Sequence, residues 1–123
     1  MTSWVETITL SDFAAHASTK DRRIYVHLTG TADLTVKDQL DHFLCDVHSE
    51  AQRCLAEDVT VDIRQLEFMN SSCLKCFVRW IGAVKERPLE GRYHIVFLST
   101  PSALWQRRSL MALATLADEI VTI

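Results

Sequence analysis

The stretch "VTVDIRQLEFMNSSCLKCFVRWI", Val59 to Ile81, changes its period halfway. In its first half Val59, Val61 and Ile63 share one face, with Thr60 and Asp62 on the other, the pattern of a half-buried strand. From about Cys73 the apolar residues return at helical steps, as Leu74, Phe77, Val78, Ile81 and then Val84. Between the halves stand Asn70, Ser71 and Ser72, residue types that favour helix N-caps. A strand running into a helix is the elementary unit of an α/β fold. The unpaired amides of the first helical turn also make such a junction a natural place for negative charge.

Working outward, the same alternation of periods recurs. Upstream, "RIYVHLTG" sets Ile24, Val26 and Leu28 against Tyr25, His27 and Thr29 and stops at Gly30. A long apolar stripe follows: Val36, Leu40, Phe43, Leu44, Val47, Ala51, Cys54 and Leu55, with Thr35 and Asp38 expected to form a capping box at its start. "WVETITL", Trp4 to Leu10, reads as a first strand, while Ser11 to Arg22 reads as one helical turn and a loop. Downstream, Pro88 and Gly91 end the second helix. "RYHIVFLS" is a strand whose nearly continuous apolar run predicts burial on both faces. Ser99 or Thr100 should cap a third helix with Pro101 at its first position, its apolar stripe drawn from Leu104, Leu110, Leu113 and Leu116. "EIVTI" closes the chain as a strand. This order predicts one α/β domain over residues 1–123, with helices on a mixed, mostly parallel sheet of four to five strands.

Composition narrows the function. The 123 residues suit a single domain, 48% of them hydrophobic and 24% charged. No apolar run reaches the ~20 residues of a membrane span, and "MTSWVETITL" lacks the basic start and apolar block of a secretory signal. Both point to the cytoplasm, with no membrane insertion. The net charge of −3, with Arg22-Arg23 and Arg107-Arg108 as the only basic doublets, argues against nucleic acid.

Reactive side chains form no recognised constellation. Cys73 and Cys76 make a Cys-x-x-Cys pair, and a thiol in a first helical turn can be activated. The motif opens the second major helix rather than the first, however, and periodicity puts Cys76 on the side of the helix opposite the apolar stripe. Cys45 and Cys54 lie beside the first apolar stripe and read as small buried hydrophobes. His42, Cys45 and His48 recur at steps of three but lack a fourth metal ligand. Asp62 finds no base or nucleophile in sequence. The sequence therefore implies no enzyme, metal or cofactor. At Asn70–Ser72 an ordinary cap and an anion or phosphate site both remain open.

These same residues carry a resemblance. "VTVDIRQLEFMNSSCLKCFVRWI" is similar to the central signature of STAS domains, the sulfate-transporter and anti-sigma-factor-antagonist family. There a strand passes through an apolar pair, here Phe68 and Met69, into Asp-Ser-Ser-Gly or Asp-Ser-Thr-Gly at a helix start; Asn70, Ser71, Ser72 and Cys73 occupy those four positions. "LTGTADLTVKDQL" resembles the family's Gly-x-Leu-Asp segment, aligning Gly30 and Asp33, and "STPSALWQRRSLMALATLADEIVTI" resembles its closing helix and strand. The likeness spans residues 23–123, leaving 1–22 as an N-terminal strand and a variable connection that offers a separate contact surface.

The resemblance implies a non-enzymatic bacterial signal-transduction module, an anti-sigma factor antagonist that switches partners to regulate transcription. In such proteins a histidine-kinase-like serine kinase, itself the anti-sigma factor, phosphorylates the serine after the motif aspartate, and a PP2C-type phosphatase reverses it. That serine matches Ser71, with Ser72 as second choice; Asp33, Asn70, Ser71, Ser72 and Lys75 are the implied partner contacts. Asn70 replaces the family aspartate and Cys73 the family glycine, the latter adding bulk where a partner backbone would approach. A non-phosphorylated STAS scaffold and a thiol redox protein are the alternatives, and a homodimer is compatible with the sequence.

Overall fold

Chain order and sheet order coincide. The computed structural model describes residues 4–123, so the reading of Met1–Ser3 lies outside the described residues. Its elements are β1 (Val5–Thr9), β2 (Phe13–Lys20), β3 (Arg23–Ala32), a 3-10 turn (Leu34–Val36) and α1 (Lys37–Arg53). They continue with β4 (Asp58–Met69), α2 (Ser71–Lys85), a second 3-10 turn (Leu89–Gly91), β5 (His94–Leu98), α3 (Leu104–Leu116) and β6 (Val121–Thr122). The strands form one six-stranded sheet in the order β1-β2-β3-β4-β5-β6. The first three pair antiparallel, and β3 to β6 run parallel. Three helical crossovers all step the same way. Because such crossovers are right-handed, the helices collect on one face.

Burial follows from that one-sidedness. Ile24, Val26 and Leu28 of β3, Val59, Val61 and Ile63 of β4, and Ile95 and Phe97 of β5 face the helices and are buried. They meet Leu40, Phe43, Leu44 and Val47 of α1, Phe77, Trp80, Ile81 and Val84 of α2, and Leu110 and Leu113 of α3. The other face carries Thr7, His16, Tyr25, His27, Thr60 and Asp62 and has no helix over it. Burial of β5 on both faces is thus corrected: His94 is exposed and Val96 and Leu98 are only half-buried.

The segment Ser11–Arg22 is also not a helical turn and loop. It holds β2, whose Phe13, Ala15 and Ala17 are buried at period two. A two-residue turn, Asp21 and Arg22, joins β2 to β3 with both residues at positive φ (52° and 64°). That is the turn geometry whose twist matches paired strands, achieved here without the usual Asn-Gly. With β2 in place, residues 4–22 form a hairpin arm of the sheet, which accounts for six strands rather than four to five.

The expected caps shift as well. Asp33, not Thr35, caps the turn before α1, its carboxylate accepting from the Thr35 amide at 2.9 Å. Pro101 lies in a turn, and α3 begins after Ala103 rather than after Ser99 or Thr100. Along α3 only Leu110 and Leu113 of the four expected leucines are buried; Leu104 and Leu116 face solvent.

Candidate functional site

The site stands where β4 ends beside the end of β3. Asn70 leaves the strand in an extended conformation (φ −79°, ψ 170°) and its side-chain oxygen accepts from the Cys73 amide at 2.9 Å. Its carbonyl accepts the first helical bond, from Leu74, at 3.0 Å. The helix therefore starts at Ser71, two residues before the expected Cys73. With the Cys73 amide capped, the Ser71 and Ser72 amides are the first-turn donors left for a ligand or water. Ser71 is exposed at the first helical position, Ser72 is half-buried, and Lys75 is exposed one turn further along.

Two contacts tie this turn to Asp33. The Asn70 amide donates to the Ala32 carbonyl at 2.9 Å, continuing the β3–β4 pairing to the strand ends. The Cys73 thiol donates to the Asp33 carbonyl at 3.3 Å. The structure thus brings together Asp33, Asn70, Ser71 and Ser72 at one corner, with Lys75 at its margin. Gly30 makes the approach of the N-terminal arm feasible. It sits at φ 88°, and a Cβ there would lie 2.0 Å from the Asp12 carbonyl, which accepts from Thr31. Around the corner, Leu34 is 65% and Phe68 48% exposed, an apolar surround beside an otherwise polar turn.

Phe68 is outward because β4 is irregular. Its register against β3 shifts between His27 and Thr29 and again between Gly30 and Thr31. Each bulge adds a residue to β4 and breaks the alternation. β5 has already ended opposite Asp62, so the β4 carbonyls beyond that point need other donors. Gln106 of α3, 1% exposed, supplies them: its side-chain amide donates to the carbonyls of Ile63 at 2.8 Å and Leu66 at 3.0 Å. The Thr100 hydroxyl donates to the Arg64 carbonyl at 2.8 Å, and the Gln106 side-chain oxygen accepts from the Thr100 amide. The sequence reading missed Gln106, although a glutamine in register with Leu110 and Leu113 on a buried helical face was the signal.

The thiols behave as core atoms. Cys73 is fully buried, so its side chain points inward and adds no bulk toward a partner. Cys76, expected opposite the apolar stripe and facing solvent or an edge, is buried at 1% exposure; α1 covers that flank and its Lys37 carbonyl lies 3.6 Å from the Cys76 sulfur. Burial pushes the Cys73 thiol up to about 11 and raises Cys76 too, the opposite of what an attacking thiolate needs. Cys45, expected to be buried, is exposed, and Cys54 is half-buried. No cluster of three metal-ligating side chains occurs among the described residues.

Asp62 has partners the sequence did not reveal. Arg64 donates to both of its carboxylate oxygens, at 3.0 and 2.8 Å, and the Tyr25 hydroxyl donates at 2.8 Å. The Arg64 hydrogen bonds hold the Asp62 carboxyl well below the usual carboxylate range. This network braces the first β4 bulge on the open face.

Neither a protein-family model nor a curated protein sequence matches the chain. Solved structures do. An anti-sigma factor antagonist from Mycobacterium paratuberculosis aligns with a TM-score of 0.65 at 16% identity, covering 94% of this chain and 90% of that one. The anti-sigma factor antagonist SpoIIAA in its unphosphorylated form aligns at 0.50 and 14% identity, covering 85% and 80%. The Bacillus cell fate determinant SpoIIAA in its phosphorylated form aligns at 0.50 and 15%, covering 97% and 89%. No helix among the described residues is long and apolar enough to cross a membrane. At these identities the likeness establishes architecture, and the architecture is that of the anti-sigma factor antagonists, the STAS fold.

Proposed function

We propose that this chain is a non-enzymatic partner-switching module of the anti-sigma factor antagonist type, gated by reversible phosphorylation of Ser71. One observation carries the reading: the Ser71 hydroxyl is exposed at the first position of α2, on a corner that also presents Asp33, Leu34 and Phe68. A phosphate there adds a charge of about −1.5 to −2. The open first-turn amides and the helix dipole accommodate it without refolding the domain. Its effect is on the surface a partner meets. An apolar patch with one nearby carboxylate becomes a patch with two adjacent negative groups, which repels an acidic partner contact. Lys75, one turn along, offers the nearest cation on α2.

The SpoIIAA neighbours were solved in unphosphorylated and phosphorylated forms, which supports the compatibility of this architecture with such a modification. The partners that fit are a histidine-kinase-like serine kinase, acting also as anti-sigma factor, and a PP2C-type phosphatase, in a bacterial cytoplasm with transcription as the output. Ser72, half-buried, is the poorer acceptor.

A second reading, a scaffold that binds without being phosphorylated, is favoured by one residue. Asn70 leaves no carboxylate immediately before Ser71, and its side-chain oxygen is committed to the cap. Titration calorimetry with the serine kinases of the source cell separates the two. Under the switch, Ser71→Ala binds like the parent and Ser71→Asp binds at least tenfold more weakly. Equal binding by both variants leaves only the scaffold.

A further inference from the structure

The outer face of α3 is unusual for a solvent-facing helix. Leu104 is 57% and Met111 56% exposed, and Arg107 and Arg108 stand between them on the same side. The helix has no acidic residue, although the chain as a whole carries −3. Neither arginine has an ion-pair partner among the described residues. Two cations flanked by two apolar side chains make a surface for an acidic, partly apolar counterpart.

The chain carries such a counterpart at its other edge. Between β1 and α1 lies a cleft of about 510 Å³, floored by Ile8 and Phe43 and rimmed by Glu6, Asp38 and Asp46. Its remaining lining is Thr7, Gln39 and His42, with no lysine or arginine. Burial and the neighbouring Asp46 carboxylate hold the Glu6 carboxyl up at about 7; Arg53, which lines the adjoining pocket with both acids, is engaged by Glu50 instead. Glu50, further along α1, is already neutralised by Arg53. The two complementary surfaces belong to opposite edges of the sheet. Six strands at normal spacing put those edges about 24 Å apart, so they cannot meet within one molecule.

We propose that α3 of one molecule docks in the β1–α1 cleft of the next, Arg107 and Arg108 meeting Glu6 and Asp46, and Leu104 or Met111 entering the cleft. The contact joins two different surfaces, so it is heterologous and propagates as short head-to-tail chains rather than closing as a two-fold dimer. Its attraction comes chiefly from the exposed charges of Arg107, Arg108 and Asp46 and weakens with salt. The site at Ser71 is not consumed by it, and the inference stands independently of any phosphorylation.

Sedimentation velocity over a concentration series tests this, at about 20 mM and about 500 mM salt, where screening lengths differ severalfold. The expected result is a sedimentation coefficient that rises with concentration in low salt and returns to the monomer value in high salt. Arg107→Ala with Arg108→Ala removes one surface, and Glu6→Gln with Asp46→Asn removes the other. Each double variant should be monomeric alone, with an unchanged far-ultraviolet spectrum. Mixed, they should form a 1:1 complex that grows no further, because each keeps one working surface. A parent chain that stays monomeric in low salt overturns the proposal and leaves α3 to some other acidic protein. Association that survives high salt, or either double variant, overturns it as well.

Discussion

Asn70 shows how much one side chain does at the start of a helix. Its oxygen satisfies the Cys73 amide and its carbonyl receives the first helical bond, so Asn70→Ala should cost about 1 kcal/mol in urea unfolding. Ser71→Ala, at an exposed position outside the cap, should leave the midpoint unchanged; a large loss would mean the hydroxyl serves stability rather than signalling. That separation was readable beforehand, since Asn and Ser at a strand–helix junction already say cap. The burial of Cys76 was not, because the periodicity of one helix does not reveal that α1 lies along its flank.

A second residue-scale prediction concerns His48. The buried Tyr93 hydroxyl accepts from the Trp80 indole N–H at 2.8 Å, and we assign its own proton to His48 Nδ1, 2.6 Å away, because a neutral imidazole nitrogen there gives that buried proton an acceptor. That requires neutral His48 with its proton on Nε2. Burial, and then the charge of Arg87, lower its pKa from 6.5. The unfolded chain therefore binds a proton that the folded chain refuses. The stability contributed by neutral His48 is fully present above about 6.5 and falls as pH drops below that value. Glu6 opposes this trend: its carboxyl is raised to about 7, so its contribution falls as pH rises from about 4.5. The clean observable is the difference between the parent and His48→Gln urea midpoints from pH 7.5 down to about 5.5. It should narrow as pH falls, and a constant difference would refute the assigned proton.

At the scale of elements, β4 and α3 depend on each other. β4 outruns its neighbour β5, and its loose carbonyls at Ile63, Arg64 and Leu66 are taken up by Gln106 and Thr100. Gln106→Leu keeps the volume but strands those buried groups. It should cost about 3 kcal/mol or more by chemical denaturation and loosen residues 64–69 in hydrogen exchange. A loss below about 1 kcal/mol would show that water replaces the amide. The strands and helices from Arg23 onward were legible because apolar residues mark them at period two or 3.6. β2 was not, because its buried positions include Ala15 and Ala17, poor strand markers, and its turn is Asp-Arg rather than Asn-Gly. The α3 start was misplaced for a related reason: Thr100 offers its hydroxyl to β4 instead of to a helix.

For the whole molecule, the one-way order of β3 to β6 puts all three helices on one face and all three parallel strand–helix junctions at one end of the sheet. Ser71 stands at that end, where β4 passes into α2. The claim that matters most is that this hydroxyl is the one modified. Recovering the protein from its own cells across growth conditions, and mapping phosphate by peptide mass spectrometry, addresses it directly. The account predicts a phosphate on the peptide containing Ser71, localised to that residue and present in a condition-dependent fraction of molecules. A chain unmodified in every condition, or modified only elsewhere, would contradict it.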